Sequence, residues 1–317
     1  VRLRPAVLLS TLALAAVALA GCSGQPAPES TSASPSAAAD LCGAALPEGD
    51  ASGAVKVSGD FGAEPEVEFE APLDIAEPQR TVVSEGDGEA LNEGDWVEYG
   101  MSIFDAATGD LALVGGFDQH MVPIQAQAAT GAGQLFGCAP VGSRVAVTIP
   151  GSGESPAAVY VIDVLSVVKD MPMKAWGEQQ DPVEGQPTFE LDENGAPTIT
   201  LPDTEPPTET VVTTAKKGDG EVVEAGDDVL VQYTGVKWSD GSVFDSSWAG
   251  GSPAAFNTDG VVAGFTKALV GQTVGSQVLV TMPPADGYGA AEGHELQDET
   301  LTFVLDILDH GKPMAQP

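Results

Sequence analysis

The chain carries one framework twice. Gly86-Asp87-Gly88-Glu89 returns as Gly218-Asp219-Gly220-Glu221, and Gly94-Asp95 returns as Gly226-Asp227, both at an offset of 132 residues. Thr108-Gly109 corresponds to Asp240-Gly241 at the same offset. Further on, 141–150 (VGSRVAVTIP) parallels 274–283 (VGSQVLVTMP), and 159–165 (VYVIDVL) parallels 302–308 (TFVLDIL). A period this long indicates a duplicated domain, since solenoid repeats run to only about 20–50 residues. A length of 317 residues agrees with two domains, because one hydrophobic core seldom grows past about 250–300 residues.

Within each copy the pattern is mostly strand. Segments 228–234 (DVLVQYT), 277–282 and 300–308 alternate apolar and polar residues, as half-buried strands do. Ser239-Asp240-Gly241-Ser242 is a hairpin signal, with Asp-Gly supplying positive φ. The short helical candidate is 265–270, closed by Gly271. Many strands with one short helix predict an α+β domain built on an antiparallel sheet. Between the copies, 171–186 reads as a linker rich in Pro, Gly, Asp and Glu. Segment 187–212 is expected to contain the first strand of the second copy, with 198–201 alternating.

The first 22 residues read as an address. Arg2 and Arg4 precede a nearly continuous apolar run from Ala6 to Ala20, which ends in Leu19-Ala20-Gly21-Cys22. This is the pattern of a secretory signal peptide. Its last four residues resemble a bacterial lipobox, which implies lipid on Cys22 and an extracytoplasmic, membrane-anchored protein. The alternative is an uncleaved anchor, for which the run is slightly short of the about 20 residues of a span. Residues 23–41, dominated by Ser, Ala and Pro, read as a tether. With Cys22 lipidated, Cys42 and Cys138 remain as an even pair in an oxidising compartment. That suggests one disulfide, against the alternative of two separate buried thiols.

Charge narrows the partners. Twelve Lys and Arg against 47 Asp and Glu leave a formal charge of −35. Nucleic acid and anionic lipid headgroups would be repelled. Three histidines, dispersed at 120, 294 and 310, suggest neither a zinc framework nor a catalytic triad.

Five blocks in register give the second copy a resemblance to a known family. They are Val231-Gln232-Tyr233-Thr234-Gly235, Asp240-Gly241-Ser242-Val243-Phe244-Asp245-Ser246-Ser247, Val261-Val262-Ala263-Gly264-Phe265, Met282-Pro283-Pro284 leading to Gly287-Tyr288-Gly289, and Leu301-Thr302-Phe303-Val304-Leu305. In this order and spacing, about 205–310 resembles an FKBP-type peptidyl-prolyl cis-trans isomerase. The resemblance implies a curved antiparallel sheet wrapped over one short helix, here present twice. It implies a pocket between helix and sheet lined by Tyr233, Phe244, Asp245, Val261, Val262, Phe265, Tyr288 and Phe303. Phe265 would form the floor, where the family commonly has Trp. The Val262 N–H would hold a substrate carbonyl, Tyr288 would offer its hydroxyl, and Asp245 would accept hydrogen bonds. No cofactor or metal is implied. The partners implied are proline-containing exported polypeptides, together with the family's macrolide ligands.

The chemistry suits these residue types. Rotation about a peptide bond faces about 18–20 kcal/mol of amide resonance, and X–Pro bonds exchange over tens to hundreds of seconds. An apolar pocket that removes water from the amide disfavours the polar planar form, and fixed donors can hold the twisted one.

Departures are visible too. Ala254 stands where the family commonly has an aromatic, which should loosen one wall, and the loop after Tyr288 lacks the usual Ile/Pro cluster, with Leu296 a partial substitute. Trp248 reads equally as pocket rim or loop anchor, while Trp96 and Trp238 default to structural roles. In the first copy Met101 stands at the Tyr233 position, Ala112 and Leu113 stand at those of Phe244 and Asp245, and the loop carrying Tyr288 is missing. The organisation expected is a signal peptide at 1–21, a lipidated tether at 22–42, a degenerate non-catalytic copy at 43–170, the linker, an isomerase domain at 187–311, and a tail at 312–317. The rival reading is a client-binding chaperone or scaffold without turnover.

Overall fold

The computed structural model describes residues 40–317 apart from Glu154. The segment expected to be a signal peptide, Cys22 with its expected lipidation, and the expected tether as far as residue 39 lie outside the described residues.

The first half opens with helical turns α1 (Leu41–Ala44) and α2 (Asp50–Gly53) and a hairpin of β1 (Lys56–Ser58) and β2 (Glu66–Glu68). Its main sheet follows: β3 (Gln79–Ser84), β4 (Trp96–Asp105), β5 (Leu111–Gly115), β6 (Ile124–Gln125), helix α3 (Gly131–Phe136), β7 (Arg144–Ile149) and β8 (Ala158–Val168). The second half runs β9 (Glu178–Gln179), a hairpin of β10 (Thr188–Leu191) and β11 (Pro197–Thr200), then β12 (Val211–Lys217), β13 (Asp228–Lys237), β14 (Val243–Ser246), α4 (Ser247–Gly250), β15 (Ala254–Asn257), α5 (Ala263–Leu269), β16 (Gln277–Met282) and β17 (Leu301–Gly311).

The two main sheets share a strand order. The first is β3-β7-β8-β4-β5 with β6 also on β4, and the second is β12-β16-β17-β13-β14 with β15 also on β13. All these pairings are antiparallel. The correspondence holds at single residues: Trp96 pairs with Gln125 as Asp228 pairs with Asn257, each shifted by 132. It reaches the small hairpins as well, where Lys56 opposes Glu68 and Thr188 opposes Thr200.

Each sheet is covered on both faces. On one face of the first sheet, Val145, Val147, Ile162 and Val164 pack with Ala132 and Phe136 of α3. On the other, Ala146, Val159 and Val161 pack with Val57 and Val67 of the β1–β2 hairpin. In the second sheet Val278, Val280 and Met282 meet Phe265 and Leu269 of α5. The opposite face carries Gln277 and Leu279, which with Phe189 and Leu191 of the β10–β11 hairpin line a shared cavity. Strand β16 is therefore buried at every position. The alternation expected there separates two covered faces rather than a core from solvent.

Two expectations about the segment between the copies are corrected. Residues 171–186 are not a free linker: β9 pairs with β12, Ala175 is buried, and its N–H donates to Asp306 Oδ2 at 2.8 Å. The alternating stretch 198–201 belongs to the β10–β11 hairpin, and the first strand of the second sheet is β12. The hairpin wins because the outer face of the sheet would otherwise expose apolar area to water. The helix is found where expected, starting two residues earlier and ending at Leu269, with Val270 as its C-cap and Gly271 at φ +86°.

Asp306 is buried with Gln277 Nε2 and the Ala175 N–H as donors, and among the described residues no cation pairs with it. Burial pushes its carboxyl pKa up. A carboxylate whose folded-state pKa exceeds its unfolded value favours folding when protonated, so its contribution declines as pH rises through the carboxylate range. Asp306→Asn is expected to flatten that slope, leaving the variant relatively more stable at about pH 7 than at about pH 4. Urea unfolding at both pH values checks this.

The halves meet at a cluster of Trp96, Leu230 and Leu308, with Val122, Val168 and Met171 against it. This gives Trp96 the packing partners that the sequence did not disclose. Across the same junction His120 Nε2 lies 3.0 Å from Asp309 Oδ2. Cys42 and Cys138 form a disulfide, which ties α1 to the end of α3.

Candidate active site

One cavity of about 290 Å³ opens between α5 and the inner face of the second sheet. It is lined by Tyr233, Phe244, Asp245, Val261, Val262, Phe265, Tyr288 and Phe303, the eight residues expected from sequence, and also by Phe256 and Gly260.

Local structure explains how neighbours in sequence converge. Phe244 and Asp245 are consecutive, so a regular strand would point them to opposite faces. A register shift at Gly235/Val236 bulges β14, with Asp245 opposite Gly235 and Val243 opposite Val236. Bulges re-aim side chains in this way. Gly235 is itself required: a Cβ there would come within 2.6 Å of Phe303 and 2.8 Å of Phe244. Without it those rings could not close to their edge-to-face contact at 5.4 Å and 84°.

Helix α5 brings Phe265 to the floor. Phe265 meets Phe303 edge-on at 5.3 Å and Tyr233 at 6.1 Å. Gly264 lets the helix approach, since a Cβ there would lie 2.6 Å from Met282. Just before the helix Val262 is extended, with φ −62° and ψ 148°. Among the described residues its N–H donates to no backbone carbonyl or side chain, while its carbonyl accepts from Phe265 and Thr266.

The polar groups are few. Tyr233 Oη donates to Asp245 Oδ2 at 2.6 Å. Burial, reinforced by the Asp245 charge, raises the Tyr233 pKa, so its phenol stays protonated. Tyr288 follows a 3-10 turn, Pro284–Asp286, and its ring stacks on His294 at 4.2 Å and 3°. Asp286 is engaged with Lys267 at 2.6 Å. Among the described residues no group of three or more His, Cys, Asp or Glu could hold a metal ion. The site is thus an aromatic cup with one carboxylate, two phenols and the unengaged Val262 N–H among its lining groups.

Three sequence expectations change. The wall left thin by Ala254 is closed by Phe256 on the same strand, which meets Tyr233 at 5.7 Å and Phe265 at 5.6 Å. Two residues along a strand face the same side, so alternation from Ala254 could have flagged it. Trp248 lies outside the cavity lining and reaches the β10–β11 turn, where a Cβ on Gly195 would meet it at 3.1 Å. Leu296 is a buried member of the core under the pocket.

The first sheet offers different chemistry at the matching positions. Met101 opposes Ile162 as Tyr233 opposes Leu305, and Leu113 opposes Ile103 as Asp245 opposes Gly235. Its β7–β8 connection covers only 150–157, against 283–300 for β16–β17.

Comparison with known proteins places the match on the second half. The family described as FKBP-type peptidyl-prolyl cis-trans isomerase matches residues 220–308. A probable FK506-binding protein of Corynebacterium glutamicum is 35% identical over 113 residues, covering 35% of this chain and 96% of that one. An FK506-binding protein of Streptomyces anulatus is 35% identical over 117 residues, covering 35% and 94%. The crystal structure of FkpA from Escherichia coli aligns at 29% identity with a TM-score of 0.31, over 41% of this chain and about half (53%) of that one.

Proposed function

The chain belongs to the FKBP-type peptidyl-prolyl cis-trans isomerases, and on that premise we propose that the cup between α5 and the second sheet is where X–Pro bonds are turned over. The observation that carries the proposal is the convergence of Tyr233, Asp245, Val262, Tyr288 and three phenylalanines on one cavity.

A prolyl ring seated among Phe265, Phe303 and Phe256 loses water. The planar amide owes part of its stability to hydration of its resonance dipole, so a dry cup raises the planar form relative to the twisted one. The Val262 N–H is free to take the carbonyl preceding the bond, and the Tyr288 hydroxyl is a further donor from the cavity lining. Such pre-oriented donors cost no reorganisation at the moment of rotation. Asp245 keeps the Tyr233 phenol fixed and holds negative charge at the pocket rim. The residues act by shape, desolvation and hydrogen bonding, and no covalent step is required of them.

On this reading the chain is an exported lipoprotein anchored through Cys22, acting on the proline-limited folding of other exported polypeptides, with the family's macrolides as competing ligands. The first half is a duplicate that kept the scaffold and gave up the pocket. Matching strand order, and the offset of 132 shared by the small hairpins and by the β4–β6 and β13–β15 pairings, support duplication. Met101 and Leu113 in place of Tyr233 and Asp245 support loss of turnover.

The test is isomerase activity of the intact chain on a series of X–Pro peptides, beside the Tyr288→Ala variant. Turnover by the intact chain, reduced about tenfold in the variant by loss of one directed hydrogen bond, is the expected result. A rate equal to the uncatalysed one would leave a client-binding protein instead.

A further inference from the structure

Beyond the pocket, the two halves are joined by a segment that behaves like a bound peptide. Residues 312–315 (Lys-Pro-Met-Ala) leave β17 and lie along the free edge of β5 in the first sheet. Ala315 and Val114 exchange both backbone hydrogen bonds, at 2.8 and 2.9 Å, and the Lys312 N–H donates to the His120 carbonyl at 2.8 Å. Met314 packs on the core of the first half. Pro313 stands beside Phe117 and Met121, and the three help line a small cavity of about 100 Å³. Lys312 Nζ reaches Glu224 Oε2 and Asp227 Oδ1, both at 2.6 Å.

The edge is shaped for its occupant. Gly115 pairs with Met101, which stands where the second sheet has Tyr233. A Cβ on Gly115 would come within 3.2 Å of Met314 and 2.6 Å of Met121. A side chain at position 115 would therefore crowd the segment and displace Met121. Recognition is spread over four elements: a carboxylate pair for a cation, Phe117 and Met121 flanking the prolyl ring, an apolar seat, and a strand edge for backbone pairing. The last is the geometry of strand addition, in which backbone bonds give affinity and alternate pockets give selectivity.

We propose that the edge of β5, with Phe117, Met121 and the Glu224/Asp227 pair, is a second polypeptide-binding site, selective for extended segments of the form basic–Pro–apolar, and that residues 312–315 are its resident occupant in cis. The site is separate from the isomerase cup and stands whether or not that cup turns over. A tethered occupant has an effective concentration of about millimolar. An external segment of like chemistry must compete with it, and binding in trans is weakened by the fraction of open sites.

The experiment uses a fluorescent peptide with the sequence of residues 311–317 as probe. It is titrated against the intact chain and against the chain lacking 312–317. The shortened chain is expected to bind saturably, and at least about tenfold more tightly than the intact one. Peptides carrying the equivalent of Met314→Asp or Lys312→Glu are expected to lose that binding. Equal binding of all three peptides by the shortened chain, or no binding while its far-UV circular dichroism matches that of the intact chain, would overturn the proposal. Should the shortened chain not fold, amide exchange of the intact chain with millimolar peptide decides. Faster exchange at Ala315 with Val114 still protected supports displacement, and unchanged exchange at Ala315 refutes it.

Discussion

Replacing Arg144 by methionine is expected to destabilise the first half by about 3–5 kcal/mol, because it strands a buried carboxylate. Arg144 and Asp163 oppose each other on β7 and β8 with side chains 5% and 0% exposed. Nε and Nη2 of Arg144 reach the two carboxylate oxygens at 2.6 and 2.8 Å. The same guanidinium donates to the carbonyls of Gly59, Asp60 and Ala63, and the Gly62 N–H donates to Asp163 Oδ2. The pair therefore fastens the β1–β2 turn to the outer face of the sheet. Removing both charges with Arg144→Met and Asp163→Leu should recover most of the loss, since an apolar pair in place of a buried ion pair is often neutral or better. Full recovery is not expected, because three carbonyls lose their donor. Urea unfolding of the single and double variants measures both.

Asp245→Ala should lower kcat/KM for X–Pro peptides by about 10²-fold, equivalent to about 2.7 kcal/mol. Two effects combine. The Tyr233 phenol loses its acceptor at 2.6 Å, and hydrogen bonds to charged groups contribute about 1.5–3 kcal/mol. The rim also loses the negative charge it presents to an amide whose resonance is being broken, in a cup where screening by water is reduced. Tyr233→Phe keeps the ring packing with Phe265 and Phe303 and removes only the hydroxyl, so it should cost about tenfold. Asp245→Ala should unfold within about 1 kcal/mol of the parent, because Asp245 is exposed and takes no part in the core, and Tyr233→Phe should do the same because it keeps the buried ring and its packing. Peptide exchange rates and urea unfolding on the same samples separate catalysis from stability.

The inner half of each domain was legible in the sequence for a physical reason. Strands β13, β16 and β17 carry their large apolar residues at spacing two, and the turn and helix stop are signalled by Gly241 and Gly271, both at positive φ. The family resemblance then named eight lining residues at fixed spacing, and the structure brings all eight to one cavity. Phe256 has no family signal of its own, and only the alternation of β15, which puts it on the same side as Ala254 two residues earlier, points to the pocket. The bulge that turns both Phe244 and Asp245 inward has no signature beyond Gly235.

The outer layer was not legible. The β1–β2 and β10–β11 hairpins have strands of three and four residues, too short for periodicity to speak. Their partners, such as Phe104 and Leu279, lie on the face that alternation assigns to solvent, opposite the inward-facing Ile103, Val278 and Val280. The junction at Trp96, Leu230 and Leu308 joins positions far apart in the chain, which local patterns cannot connect. Segment 312–317 carries no motif at all, and its importance lies in what Val114 and Gly115 leave open.

The most direct test of the central claim is two-dimensional NMR on one sample, with an isotopically labelled intact chain and an X–Pro peptide in large excess. The account predicts cis–trans exchange peaks whose rate grows with protein concentration, together with shift changes at the amides of Val262, Tyr233 and Asp245. Peptide exchange no faster than without protein, or shift changes confined to residues outside the cup, would contradict it.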